Sequence, residues 1–206
     1  MALDPTPLSD DPPAGRLVLV RHGQTEWSRT GRHTGRTDIP LEEAGIEAAK
    51  SLADRLAGHR FRRVLVSPLL RARETCRLAG FAGAGESCPD LLEWDYGADE
   101  GRTTAEIRRD RPGWSIWTGG VPAGETLEEV GARADRVVAE ARGAGGDVLA
   151  FAHAHILRVV AARWLGLPPA GGALLVLGPA TVSVLGWERE TPAVLRWNDT
   201  AGDPLD

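Results

Sequence analysis

Four side chains of this chain stand directly after short apolar runs and have the chemistry to hold and attack a phosphoryl group: Arg21, His22, Arg71 and His153. An arginine guanidinium is planar, stays charged at any working pH and binds two phosphate oxygens at once. A histidine among such cations can attack phosphorus through its imidazole. A second imidazole and the arginines can stabilise the charge that builds on the equatorial oxygens.

Such an attack also needs a proton donor for the departing oxygen. Glu93 is the best candidate, because it follows an apolar run and opens the aromatic, glycine-containing stretch Glu93–Gly97. Asp95 and Glu100 are nearby carboxylates that could take the same role. Of the 24 basic residues only Lys50 is a lysine, so a single arginine in this chain is weaker evidence than usual.

The elements that must position these residues are short apolar strands. Leu17–Val20, Val64–Val66 and Val148–Ala152 are too short for helices and too uniformly apolar for half-exposed strands. We therefore predict three buried strands of a parallel sheet. Because the carboxyl ends of parallel strands meet at one edge, the four side chains should converge there.

Helical periodicity and capping residues predict the rest of a three-layer α/β/α sandwich with a mostly parallel sheet. The predicted helices cover Leu41–Gly58, the segment after an N-cap at Ser67, Thr103–Arg109, Thr126–Arg142 and Ile156–Leu167. Loops are predicted over Gly80–Pro89 and Trp114–Glu125, the latter as a cover over the site, and three closing or edge strands over Leu174–Leu177, Thr181–Trp187 and Ala193–Trp197.

Composition limits the class of protein. The 206 residues predict one domain over residues 16–206 behind a flexible tail over residues 1–15, which has no signal-peptide pattern. A net charge of −5 gives no reason to expect nucleic-acid binding, and no apolar run is long enough for a membrane span. Two cysteines, Cys76 and Cys88, favour reduced thiols in a cytoplasmic protein.

The pair His153 and His155 could alternatively indicate a metal site, since a His-x-His pair after a strand can bind a metal in hydrolases. Further ligands would be needed, and no second His/Asp cluster is evident. We therefore predict no metal.

Several blocks of the chain, in order, resemble the histidine phosphatase superfamily, the phosphoglycerate-mutase-like enzymes, over Leu17–Trp197. The matching blocks are Arg-His-Gly-Gln-Thr-Glu-Trp at 21–27, Thr34-Gly35 with Asp38 and Leu41, Ser67-Pro68-Leu69 with Arg71-Ala72 and Thr75, Leu92-Glu93 with Tyr96-Gly97 and Glu100-Gly101, and Ala152-His153 with Leu157-Arg158.

This resemblance implies a phosphoglycerate-mutase-like fold and a phosphomonoesterase that needs no metal or organic cofactor. His22 would carry a transient phosphoryl group held by Arg21, Arg71 and His153, and Glu93 would protonate the leaving oxygen and then activate water. Residues expected at the phosphate and substrate are Arg21, Arg71, Gln24, Ser28, Thr34, Gly35, Tyr96 and Ala154. The substrate would be a small phosphorylated metabolite, since the chain looks most like the sugar-phosphate branch that includes sedoheptulose bisphosphatase. A homodimer is left open.

Two departures from the family pattern leave alternatives open. Ala154 stands where the family usually has glycine, and Ser28 stands where its mutases usually have asparagine. A methyl group would be costly at residue 154 if that position needs a positive φ or a close backbone approach to phosphate, so a weakly active phospho-ligand-binding pseudo-enzyme is one alternative. A phosphoglycerate mutase is another, but the long insertion that mutases place before Gly124-Glu125-Thr126 is missing. Whether His155 contributes to the site is also open.

Overall fold

A computed structural model of the protein describes residues 15–200, so the predicted tail over residues 1–15 lies, except for Gly15, outside the described residues. The described chain forms one six-stranded sheet in the order β3-β2-β4-β1-β5-β6. The strands are β1 (Leu17–Arg21), β2 (Arg63–Val66), β3 (Glu86–Ser87), β4 (Val148–Ala152), β5 (Val182–Glu188) and β6 (Thr191–Asp199). The β3, β2, β4 and β1 strands are parallel, and β5 runs antiparallel to β1 and β6.

Seven α-helices are present within residues 15–200. They are α1 (Glu26–Thr30), α2 (Glu43–Leu56), α3 (Leu70–Cys76), α4 (Thr104–Asp110), α5 (Ile116–Gly119), α6 (Leu127–Gly143) and α7 (Ala154–Trp164). A π-helical turn at Arg77–Phe81 and 3₁₀ turns at Pro89–Leu91, Gly97–Asp99 and Pro169–Leu174 complete the described elements.

The central strand β1 shows why the sheet is covered on both sides. Leu17 and Leu19 belong to one buried cluster, with α6 and α7, while Val18 and Val20 belong to a second cluster, with α2 and α3. Successive side chains of a strand point to opposite faces, so an unbroken apolar strand needs helices on both. The three-layer α/β/α prediction is therefore confirmed.

The helix after β2 begins later than predicted. Its first residue is Leu70 and its N-cap is Leu69, so the prediction that Ser67 is the N-cap is wrong. The Ser67 hydroxyl is bonded instead to the imidazole of His153, at 2.7 Å from Nε2. By contrast, Thr103, at the predicted start of a helix, closes a capping box, and so does Thr126, which caps α6 instead of lying in its first turn.

Two strand assignments also differ from the prediction. Leu174–Leu177 is not a strand, because a 3₁₀ turn runs to Leu174 and the carbonyl of Leu177 accepts a hydrogen bond from Arg21. Leu174 and Val176 are largely exposed, which an apolar pattern alone does not predict. The predicted loop Gly80–Pro89 contains the two-residue strand β3, whose polar, exposed residues carry no strand pattern.

The predicted cover loop Trp114–Glu125 contains the short helix α5. Its Trp114 side chain is buried and donates from the indole nitrogen to the carbonyl of Gly120, at 2.8 Å. None of the helices within residues 15–200 has both the length and the apolar character needed to cross a membrane.

Replacing Thr126 by alanine should lower the free energy of unfolding by about 1 kcal/mol, because the Thr126 hydroxyl accepts the N–H of Glu129 at the start of α6. Urea denaturation measures the change. The control is Thr126→Ser, which keeps a capping hydroxyl and should remain near the parent value. Equal losses in both variants would mean that the hydroxyl does not cap α6.

Candidate active site

The carboxyl edge of the sheet brings together residues that are far apart in the chain. In the sheet, β4 lies between β1 and β2, so His22 after β1 and His153 after β4 become neighbours. Their ring centroids are 5.2 Å apart. Backbone hydrogen bonds extend the strand pairing into the site, since the His22 N–H donates to the carbonyl of Ala152 and the Ser67 N–H to that of Phe151. All four side chains singled out after strands thus lie in one region, as the strand pattern predicts.

The His22 imidazole is buried and oriented by one backbone carbonyl. Its Nδ1 lies 2.7 Å from the carbonyl oxygen of Gly23. Because a carbonyl can only accept, Nδ1 carries the proton and Nε2 keeps its lone pair when the ring is neutral. Burial, together with the charges of Arg21 and Arg71, holds the pKa of His22 well below its usual 6.5. The ring therefore presents an unprotonated Nε2 at neutral pH.

Gly23 is required by a close backbone approach. A Cβ at this position would lie 2.4 Å from the carbonyl oxygen of Gly45 in α2, which is too close for any side chain. The Gly23 N–H donates to the Thr75 hydroxyl, which in turn donates to the carbonyl of Arg71. Thr75 therefore links the His22 segment to α3.

The His153 imidazole is buried and held on both sides. Arg71 Nε donates to His153 Nδ1 at 3.1 Å, so Nδ1 is the acceptor and the neutral ring carries its proton on Nε2. That Nε2–H donates to the Ser67 hydroxyl. Burial, followed by the charge of Arg71, lowers the pKa of His153 well below 6.5. The two imidazoles are thus neutral, with opposite tautomers.

The Arg71 guanidinium is buried and mostly committed to protein acceptors. Besides His153, it donates from Nη1 to the carbonyl of Thr37 and from Nη2 to those of Thr34 and Gly35, at 2.9–3.0 Å. Burial lowers the pKa of Arg71, and the negative charge of the nearby Glu93 carboxylate offsets part of this lowering. Arg71 therefore holds the loop of residues 34–37 against the site, a role that its position in the sequence does not reveal.

Among Arg21 and Arg71, the two arginines expected at the phosphate, Arg21 is the one with a buried N–H donor that has no acceptor in the described part of the chain. Its Nη1 donates to the carbonyl of Leu177 at 2.5 Å, and its buried Nε has no partner within the described residues. Burial lowers the pKa of Arg21 to about 10, so it remains charged at neutral pH. A buried, charged N–H without an acceptor is costly unless an anion supplies one, which makes Arg21 the clearest anion-binding group of the site.

The Glu93 carboxyl group is buried at the N-terminus of α7. Its Oε1 accepts the N–H groups of Trp94 and Ile156, and its Oε2 accepts that of His155, at 2.9–3.0 Å. The other two candidate carboxylates are engaged elsewhere. Asp95 accepts the N–H of Gly97, and Glu100 accepts those of Gly35 and Thr37. Of the three carboxylates, Glu93 is the one bonded to the backbone of His155, two residues after His153.

The other predicted substrate residues have local partners. Gln24 Nε2 lies 3.2 Å from Glu42, and the Ser28 hydroxyl closes a capping box with Thr25 at the start of α1. Gly35 has no room for a side chain, since a Cβ would lie 2.6 Å from the carbonyl oxygen of Trp94. Ser28 is therefore committed to a helix cap.

Ala154 is the first residue of α7 and has no left-handed backbone. Within residues 15–200, the non-glycine residues with positive φ are Ala123, Ala180, Arg189 and Asn198. The conformational penalty considered for a methyl group at residue 154 is therefore absent.

An aromatic wall adjoins Glu93, and sequence patterns predict only part of it. Its members, His33, Trp94, Tyr96, Trp117 and His155, have ring centroids within 6.2 Å of that of His155. Arg158, which sequence reasoning did not assign to the substrate, packs over Trp117 at 4.7 Å and donates from Nε to the carbonyl of Gly172. A helical spacing of four from Ala154 is the signal that could have placed Arg158 near the site.

The described residues contain no group of three or more His, Cys, Asp or Glu side chains placed to hold a metal ion. His155 is bonded to Tyr96 at 2.5 Å, while His153 is bonded to Arg71 and Ser67. The two histidines of the His-x-His pair therefore have separate partners.

Comparison with known proteins gives a consistent result. The family model described as "Histidine phosphatase superfamily (branch 1)" matches residues 17–200. An acid phosphatase of Mycobacterium tuberculosis (strain ATCC 25618 / H37Rv) is 42% identical over 178 residues, covering 84% of this chain and 87% of that protein. A sedoheptulose 1,7-bisphosphatase of Saccharomyces cerevisiae (strain ATCC 204508 / S288c) is 36% identical over 185 residues, covering 74% and 68% respectively.

A solved structure of an open reading frame product from Mycobacterium tuberculosis superposes with a TM-score of 0.83 at 39% identity. The superposed region covers 89% of this chain and 97% of the chain in that structure.

Replacing Thr75 by valine should lower the free energy of unfolding by about 1–3 kcal/mol, because the isosteric side chain leaves the buried Gly23 N–H without an acceptor. Urea denaturation measures this loss. Thr75→Ser retains the hydroxyl and serves as the control. Equal stability of the valine variant and the parent would contradict the role of Thr75.

The free energy of unfolding should fall as the pH is lowered from about 6.5 towards 5. The folded chain lowers the pKa of His22, His33, His153 and His155, whereas the unfolded chain takes up protons on each near pH 6.5. Since the unfolded state then binds more protons, stability is greatest above pH 6.5 and is lost below it, by up to about 1.4 kcal/mol per pH unit for each histidine. Urea titrations at several pH values measure the slope.

Replacing His33 by phenylalanine removes one of these histidines and should make that slope shallower. A free energy of unfolding that is the same at pH 6.5 and pH 5 would show that these imidazoles are not held neutral in the fold.

Proposed function

This chain belongs to the histidine phosphatase superfamily, branch 1, and is a phosphomonoesterase; on that premise we propose that it works through a phosphohistidine on His22. The observation that carries the proposal is the oriented His22 imidazole, whose Nδ1–H is committed to Gly23 while Nε2 keeps a lone pair. Arg21 lies next to it in sequence and has a buried Nε–H that lacks an acceptor.

In the first step, the ester phosphate binds against Arg21, and His22 Nε2 attacks phosphorus. The N–P bond forms as the bond from phosphorus to the alcohol oxygen breaks. The charges of Arg21 and Arg71 and the His153 imidazole stabilise the negative oxygens of the transferring group. Arg71 contributes mainly as a fixed charge that orients His153, since its donors already hold that ring and the loop of residues 34–37.

Glu93 supplies the proton that the departing alkoxide needs. In the second step, the Glu93 carboxylate takes a proton from water, and the resulting attack on phosphorus breaks the N–P bond and releases inorganic phosphate. Three backbone N–H groups fix both oxygens of the carboxyl group, which suits a residue that must serve both steps from one place.

We propose that the substrate is a small phosphorylated metabolite, in particular a sugar phosphate. The similarity to a sedoheptulose 1,7-bisphosphatase supports this class, as does the aromatic wall beside Glu93. A net charge of −5 does not favour nucleic acid as a substrate. We also propose a cytoplasmic location, in keeping with two free cysteines, and a homodimer stays a prediction.

The alternatives considered from the sequence are weaker in view of the structure. A pseudo-enzyme disabled by Ala154 would need a strained or blocked residue there, but Ala154 sits in the first turn of α7 without a positive φ. A mutase would need a phosphohistidine that survives attack by water long enough to react with a second substrate. The experiment below measures which of the two accepts the phosphoryl group.

Replacing His22 by alanine should abolish hydrolysis of 4-nitrophenyl phosphate and of sugar phosphates while the protein stays folded. Release of inorganic phosphate in excess EDTA measures activity, and circular dichroism checks the fold. Acid quenching should trap an acid-labile phosphoenzyme in the parent and none in the variant.

The control is His59→Ala, which removes a histidine bonded to Asp147, at the amino ends of β1 and β4, and should leave turnover intact. Full activity of a folded His22→Ala variant would refute the mechanism. Phosphoryl transfer to a second substrate in place of water would identify a mutase.

A further inference from the structure

The His155 imidazole lies in the aromatic wall and makes one hydrogen bond through its side chain. Its Nδ1 is 2.5 Å from the hydroxyl oxygen of Tyr96. Tyr96 is buried, and burial together with the Glu93 carboxylate raises the pKa of this phenol well above 10. The hydroxyl therefore keeps its proton, and its only described acceptor is His155 Nδ1.

This bond determines which nitrogen of His155 carries a proton. Burial, followed by the charge of Arg158, lowers the pKa of His155 well below 6.5, so the ring is neutral. If Nδ1 carried the proton, the buried Tyr96 hydroxyl would have no acceptor, which is costly. The proton is therefore on Nε2, and this N–H makes no hydrogen bond within the described residues.

The position of His155 relates that free donor to the leaving group. The backbone N–H of His155 holds Glu93 Oε2 at 3.0 Å, and the side chain retains 16% of its surface exposed. His155 thus stands beside the carboxyl group that protonates the departing oxygen.

We propose that His155 Nε2–H recognises an oxygen on the carbon next to the ester carbon of the substrate, so that His155 selects phosphate esters of polyols over those of simple alcohols. The neighbouring rings of Trp117 and His33 contact the carbon skeleton, and Tyr96 positions the donor by fixing the tautomer of His155. This assignment rests on the proposed function and adds a specificity-determining residue to it.

The test compares two esters with the same three-carbon skeleton, glycerol 3-phosphate and propyl phosphate. The parent enzyme should have the higher kcat/KM for glycerol 3-phosphate. His155→Phe retains a ring but no donor, and should reduce the ratio of the two kcat/KM values about tenfold, as for one hydrogen bond between uncharged groups.

Two further variants separate recognition from damage to the fold. His155→Gln places an amide N–H near the Nε2 position and should restore most of the ratio. Tyr96→Phe removes the hydroxyl that fixes the proton of His155 on Nε2, and should reduce the ratio by a smaller factor than His155→Phe. A merely structural role of His155 would lower kcat/KM for both esters equally and leave the ratio unchanged.

The possible failures can be told apart. Equal kcat/KM values of the parent for both esters, or an unchanged ratio in His155→Phe, would overturn the assignment of His155 while leaving the phosphohistidine mechanism in place. If the parent hydrolyses neither ester, the assignment of His155 is overturned. If a folded His22→Ala variant hydrolyses both esters, the proposed function is overturned and, with it, this assignment.

Discussion

A buried cation on α3 organises this site. The Arg71 guanidinium has no carboxylate partner within the described residues, and its hydrogen bonds go to His153 and to the carbonyls of Thr34, Gly35 and Thr37. A charge removed from water is tolerated only when its donors are satisfied, so α3, the loop of residues 34–37 and the end of β4 must stay together. The same charge lowers the pKa values of both facing imidazoles.

The two imidazoles show how neighbouring acceptors and donors decide chemistry. His22 has a carbonyl at Nδ1, and His153 has an arginine N–H at the same atom. The first ring therefore presents a lone pair at Nε2 and the second presents an N–H. Two opposite tautomers, one with a free lone pair at Nε2 and one whose Nε2–H donates to Ser67, are thus produced from one residue type by partners from different segments.

The abundance of arginine makes pairing the useful criterion for function. Arg133 forms a paired contact with Glu125, and Arg111 pairs with the buried Asp99, so these arginines stabilise loops around the site. Arg21 has no ion pair within residues 15–200 and has a buried Nε–H without an acceptor. Arg142 shares this feature but packs over Trp164 and Trp187, whereas Arg21 directly precedes His22 and is therefore suited to an anion at the site.

The sequence by itself determined the three strands β1, β2 and β4 and the edge of the sheet at which the polar residues after them meet. Uniform apolar runs require burial on both faces, and the polar residues that follow must meet where parallel strands end. The cap at Thr103 could also be predicted, because a capping box depends on residues three positions apart in the chain. The residues of the site could be named for this reason.

Only the tertiary structure decided what each of those residues binds. Ser67 is bonded to His153 and does not cap α3, and Leu177 accepts from Arg21 and is not in a strand. Arg71 holds a loop as well as a histidine. These partners come from segments far apart in the chain, and hydrogen bonds of that kind leave no periodic pattern in a sequence, whereas burial and capping do.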